Sequence, residues 1–178
     1  MNHLRLVWVI LVSLFLLVPL GEASAQKIAG SMENQSMNEL GREVEKKAAL
    51  AVAQFQERAG GKLDYSAGSL AVAEEMLAEA AEYADQMDQE SVDALVQLMG
   101  SYILHVAYKE HGGVFYWHDA EDQPVLVVGE PAFRVALLTF SKVRGRLSGD
   151  EGDNIPFFYS GFSERAKSAK PGADALYM

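Results

Sequence analysis

The chain of 178 residues contains no cysteine. Without thiols it has no disulfide bond, no thiolate metal ligand, no cysteine nucleophile and no lipid anchor attached to a cysteine side chain. The G-x-S-x-G motif that carries the catalytic serine of α/β-hydrolases is also missing from the sequence. Stability must therefore come from a packed core, which a chain of this length is large enough to form.

Basic residues are scarce: 15 Lys and Arg stand against 25 Asp and Glu, which gives a net charge of −10. A negative field of this size repels the phosphates of nucleic acids and anionic lipid headgroups. We therefore expect no nucleic-acid partner. We expect a protein partner, if there is one, to be basic, because opposite charges speed association and select partners.

Only one long apolar run is present, and it extends from Leu6 to Leu20. Basic His3 and Arg5 precede it, and the small residues Ala23-Ser24-Ala25 follow. This arrangement is typical of a cleavable secretory signal, and the run is shorter than the roughly 20 apolar residues of a spanning helix. We predict cleavage after Ala25, a periplasmic or secreted protein, and no stable membrane insertion after cleavage. The alternative is an uncleaved anchor helix.

The remaining sequence is predicted to contain a flexible leader (26–35), a single α+β domain (36–166) and a disordered tail (167–178). Apolar residues at three- and four-residue steps predict three helices first. The first is capped by Ser36 and ends at Gly60-Gly61, the second is capped by Asp64 or Ser66, and the third runs from an Asp88 cap to Gly112-Gly113. Gly100 inside the third helix indicates that another element packs closely there.

The second half of the domain changes to an extended pattern. Branched and aromatic residues predict three strands in a small antiparallel meander, at Val114–Trp117, Gln123–Val128 and Phe133–Leu137. Two short helices are predicted to follow. The first ends at Leu147, and the second is capped by Asp153 or Asn154.

Chemistry-bearing side chains are densest between residues 102 and 122. The candidate ligand-binding residues are Tyr102, His105, Tyr108, Trp117 and His118. His105 and His111 are six residues apart, so their rings point to different sides of a helix and do not converge on a metal. The sequence therefore predicts no metal site, no cofactor and no catalytic set.

A second candidate site is the basic cluster of Lys142, Arg144 and Arg146, which is unusual in so acidic a chain. Lys142 and Arg146 share a helix face by their spacing of four residues. The cluster is an anion-binding candidate. The alternative is that it offsets acidic neighbours in the fold.

Short motifs follow one another along the chain: Leu63-Asp64-Tyr65-Ser66, Ser69-Leu70, Gly100-Ser101-Tyr102, Gly112-Gly113, Pro124-Val125-Leu126-Val127, Lys142-Val143-Arg144-Gly145-Arg146-Leu147, Gly152-Asp153 and Phe158-Tyr159. In this order they resemble a group of small bacterial domains of uncharacterised function, over about residues 63–162. The resemblance implies a bacterial origin and one α+β domain. It supplies no activity and no catalytic residues.

The function predicted from these features is a non-enzymatic binding or protein-interaction module of the bacterial envelope, of which an inhibitor or immunity-like protein is one form. The alternative is a small exported hydrolase with a pocket around Tyr102, His105 and His118, in which a histidine acts as the base.

Overall fold

The computed structural model describes residues 37–178. Five α-helices and a four-stranded sheet lie within them: α1 Glu39–Phe55, α2 Leu70–Ala81, α3 Gln89–His111, β1 Val114–His118, β2 Gln123–Val128, β3 Arg134–Leu137, α4 Phe140–Leu147, α5 Ile155–Ser168 and β4 Asp174–Tyr177. The predicted mixture of helices and strands, with the helices first, is confirmed. The predicted signal (1–25), the leader (26–35) and the Ser36 cap lie outside the described residues.

The helix starts follow from side chains that cap them. Asp88 Oδ1 accepts a hydrogen bond from Ser91 N at 2.8 Å, and Asn154 Oδ1 accepts one from Phe157 N at 3.0 Å. At α1 the cap is Asn38, whose Oδ1 accepts from Gly41 N at 2.9 Å. Asn38 Nδ2 also donates to Phe115 O at 2.6 Å, which fastens the start of α1 to the edge strand β1.

The sheet has the order β1-β2-β3-β4. The first three strands form the predicted antiparallel meander, but β4 pairs with β3 in parallel. The prediction of a disordered tail over residues 167–178 is therefore wrong. The pairing of β4 joins Asp174–Tyr177 to a strand that lies far back in the chain. This segment has only four residues, and polar and apolar side chains do not alternate along it repeatedly. The sequence therefore gives no local signal for the pairing.

All the long helices pack on one face of the sheet: α1 against β1, α3 against β2 and α5 against β3. At the centre, α3 also contacts α1 and α4, so most of its residues are buried. Gly100 lies where α4 meets α3, and a Cβ there would overlap the ring of Phe140. The predicted close approach at this glycine is confirmed, and Thr139 Oγ1 adds a hydrogen bond to Gly100 O at 2.8 Å.

Strand β1 divides its side chains between the two faces of the sheet. Because successive strand residues alternate, Phe115 and Trp117 point to one face and Tyr116 and His118 to the other. Phe115 is 1% exposed and belongs to the main core, so the Phe115 face is the one covered by the helices. A smaller apolar cluster of Val125, Val127 and Leu138 is separate from the main core.

Candidate functional site

A groove of about 410 Å³ opens where α1, α3 and α4 meet the turn between β1 and β2. Its volume falls within the range of ligand-binding clefts in proteins. Buried Val44 and Val96 form apolar parts of the wall, while Trp117 is half exposed at 50%. A large aromatic surface open to solvent beside a concave surface is typical of a contact site.

Trp117 is held in position by the strand opposite it. Its partner in the β1–β2 ladder is Pro124, and both residues line the groove. Proline lacks an N–H, yet it fits here because β3 pairs only with the later part of β2, from Leu126 to Val128. The indole therefore projects from the two-stranded end of the sheet, beyond the residues of β2 that pair with β3.

Most of the charged side chains that line the groove have a hydrogen-bond or ion-pair partner. Arg144 Nη2 donates to Asp93 Oδ1 at 2.8 Å, and this hydrogen bond holds the pKa of the Asp93 carboxyl below its usual range. Lys47 Nζ donates to Gln97 Oε1 at 2.8 Å, and Glu43 lies one helical turn before Lys47 on α1. Glu43 and Asp122 are the groove carboxylates that have no hydrogen bond or ion pair within residues 37–178.

The Asp122 side chain has no hydrogen bond or ion pair with any part of the chain that the structure describes, and the residue is exposed and lines the groove. It ends the turn between β1 and β2 with a φ of 48°, a left-handed conformation that aspartate and asparagine tolerate better than most residues. The turn therefore presents a free carboxylate close in sequence to Trp117.

Ser101 lies in the wall of the groove on α3 and is completely buried. Its Oγ has no hydrogen-bond partner among the described residues. A buried hydroxyl without a partner costs free energy, so its presence in a ligand-sized groove calls for a physical reason.

Three of the predicted ligand-binding residues, Tyr102, His105 and Tyr108, come together, but inside the core rather than in the groove. Tyr102 Oη accepts from Tyr65 N at 3.1 Å and lies 2.6 Å from Ser69 Oγ. The His105 ring is 5.1 Å from the Tyr65 ring and 6.4 Å from that of Tyr108, measured between centroids. Burial lowers the pKa of His105; the charge of Lys109 lowers it further and that of Glu45 opposes the shift.

The other two predicted residues lie elsewhere. Trp117 lines the groove, whereas His118 points to the opposite face of the sheet and has a buried Nδ1 without a partner in the described chain. Since His105 is on the helix side, the two histidines do not share a pocket. The pocket around Tyr102, His105 and His118 that the hydrolase alternative requires is not formed.

The basic cluster is already matched with carboxylates. Lys142 Nζ lies 2.6 Å from Asp153 Oδ1, and Arg146 Nε lies 2.6 Å from Glu74 Oε1. Arg144 pairs with Asp93 as described above, and it is the one member of the cluster that lines the groove. An anion at Lys142 or Arg146 would have to compete with a partly buried ion pair.

A polar cluster that the sequence did not predict joins the end of α3 to α5. Glu110 accepts hydrogen bonds from Tyr159 Oη at 2.6 Å and Lys167 Nζ at 2.6 Å, and His111 Nε2 lies 3.0 Å from Ser163 Oγ. Lys167 and Tyr159 lower the pKa of Glu110, and burial lowers that of His111.

This cluster contains a serine, a histidine and a carboxylate, but not in the arrangement of a catalytic triad. Glu110 Oε1 lies 3.7 Å from His111 Nε2, the same ring nitrogen that faces Ser163 Oγ. In a triad the carboxylate holds the opposite nitrogen. Sequence patterns did not predict this cluster, because Glu110 and Ser163 lie more than fifty positions apart in the chain.

Residues 37–178 contain neither a metal-binding cluster nor a membrane-spanning helix. No three His, Asp or Glu side chains among them converge in a way that would hold a metal ion. No helix among them is both long and apolar enough to cross a bilayer.

The chain was also compared with known proteins. No protein-family model, no curated protein and no solved structure matches it.

Proposed function

We propose that this protein is an exported, non-enzymatic binding module of the bacterial envelope, and that its groove binds a basic segment of another protein. The observation that carries the proposal is the half-exposed Trp117 beside the unmatched carboxylate of Asp122 in one groove. Aromatic side chains at the centre of a contact surface contribute a large share of binding free energy.

The charge of the whole molecule supports the same kind of partner. A net charge of −10 raises the encounter rate with a basic protein and lowers it with an acidic one. The segment Leu6 to Leu20, with its flanking residues, supports export and cleavage after Ala25. An exported chain that begins at Gln26, found by N-terminal sequencing, is the expected result.

The binding proposal is tested by affinity capture from envelope extract. Wild type is compared with Trp117→Ala and with Tyr116→Ala, a neighbouring exposed aromatic on the opposite face of β1. We expect wild type and Tyr116→Ala to retain the same basic protein, and Trp117→Ala to lose it. Raising the salt concentration should release this protein, because exposed charges are screened.

Three outcomes contradict the proposal. They are a captured protein that Trp117→Ala still retains, binding that does not respond to salt, and no captured protein at all. Circular dichroism of both variants confirms that the fold is unchanged, so that a loss of capture reports on the surface.

A further inference from the structure

We infer that the groove accepts an arginine side chain of the partner, with its guanidinium stacked on Trp117 and paired with Asp122. This inference rests on the proposed function and names the chemical group that the groove recognises. Two independent features of the groove support it: the aromatic face and the balance of charge.

The aromatic face favours a planar cation. The Trp117 indole is 50% exposed, and tryptophan attracts cations more strongly than the other aromatic side chains. Guanidinium is planar and weakly hydrated, so it stacks on an indole at a lower desolvation cost than the ammonium of lysine. Partly buried Leu40 and Phe140 offer an apolar wall to the methylene groups of the same side chain.

The balance of charge also favours a cation. Asp93 is paired with Arg144, and Lys47 lies one turn from Glu43 and donates to Gln97. Two carboxylates, Glu43 and Asp122, have no ion pair among the described residues that line the groove, and Asp122 is the one in the same hairpin as Trp117. One positive side chain would neutralise it, and a carboxylate accepts the forked N–H groups of arginine in two parallel hydrogen bonds.

The experiment uses tryptophan fluorescence of the exported chain that begins at Gln26. The sequence holds two tryptophans, and cleavage after Ala25 removes Trp8, so Trp117 is the sole emitter and the emission reports on the groove. The chain is titrated with the tripeptide Gly-Arg-Gly. Gly-citrulline-Gly, a neutral peptide of nearly the same shape, and Gly-Lys-Gly are the controls. We expect the arginine peptide to change the emission with saturation, and both controls to bind at least about tenfold more weakly.

A matched pair of substitutions locates the interaction. Asp122→Asn keeps a residue that tolerates the left-handed backbone, and we expect it to weaken the arginine peptide by about threefold to tenfold. Asp119→Asn, in the same turn but outside the groove lining, should leave the affinity unchanged.

The inference is overturned if citrulline or lysine peptides bind as tightly as arginine, if no peptide binds, or if Asp122→Asn has no effect. These failures differ from a failure of the proposed function. A partner captured through Trp117 while Gly-Arg-Gly gives no response would leave the binding proposal standing and remove only arginine as the recognised group.

Discussion

His105 shows how burial can turn a candidate ligand into a pH-dependent structural residue. It is 7% exposed, its ring packs against those of Tyr65 and Tyr108, and its Nδ1 lacks a partner in the described chain. Burial lowers its pKa, so the folded protein favours the neutral ring. The unfolded chain binds a proton on this residue more readily than the folded chain does.

The expected result is a loss of stability in mild acid. The contribution of His105 is fully present above its ordinary pKa of about 6.5, and it decreases as the pH falls from there through the lowered folded-state value. His105→Phe keeps the ring and removes the titration. Urea unfolding at about pH 7.5 and about pH 5.5 should show a smaller decrease for the variant than for wild type. The decrease that remains includes His111, whose pKa burial also lowers. An equal decrease in both proteins would contradict this assignment.

At the scale of elements, Glu74 on α2 connects three helices. Its Oε1 accepts from Arg146 of α4 at 2.6 Å, and its Oε2 accepts from Ile155 N at the start of α5 at 2.9 Å. The side chains of Glu74 and Arg146 are each only 13% exposed, so the pair is weakly screened by solvent. Removing one partner of such a pair leaves the other charge buried and unmatched.

Glu74→Gln should therefore lower the free energy of unfolding by about 2 kcal/mol, because the amide replaces a charged acceptor by a neutral one. Glu79→Gln is the matched control. Glu79 lies on the same helix and pairs with Arg58, but its side chain is 51% exposed. The control should change stability by less than about 0.5 kcal/mol. Chemical denaturation of both variants measures the difference, and equal effects would contradict the role of the buried pair.

Most of these elements could be predicted from the sequence because their signals are local. The caps Asp88 and Asn154, the glycines after α3 and the β-rich segments act within a few residues, and the structure confirms them. Two helix ends differ. The first helix was predicted to end at Gly60-Gly61, whereas α1 ends at Phe55 and turns follow; the apolar pattern of the second helix continues to Met87, whereas α2 ends at Ala81 and a short 3-10 turn follows. The chain must change direction there to reach the extended backbone of Asp88.

At the scale of the whole molecule, local sequence signals do not suffice to predict which residues form the groove. The groove joins residues of α1, α3, α4 and the β1–β2 turn, which no spacing rule connects. The sequence analysis named Trp117 and Arg144 as candidate binding residues from their residue types alone. Ser101 and Asp122 were not predicted as site residues, because their roles depend on what surrounds them after folding. The same reason explains why a cluster of basic residues proved to be three ion pairs with distant carboxylates.

Strand β4 completes the sheet by pairing with β3 at its edge. Arg134 N donates to Ala173 O and Leu138 N donates to Tyr177 O, each at 2.8 Å, so both ends of β3 depend on this segment. The Tyr177 ring also lies 6.1 Å from that of Phe162 in the core.

A chain that ends at Ser168 should therefore be less stable by at least about 3 kcal/mol, since it loses these hydrogen bonds and the buried part of Tyr177. Removal of Met178 alone is the control, because this residue is 47% exposed and follows the strand. Thermal unfolding of the two truncated chains measures the difference. If both unfold at the temperature of wild type, β4 contributes no stability. If only the longer truncation is affected, the last ten residues are a structural part of the sheet that presents Trp117.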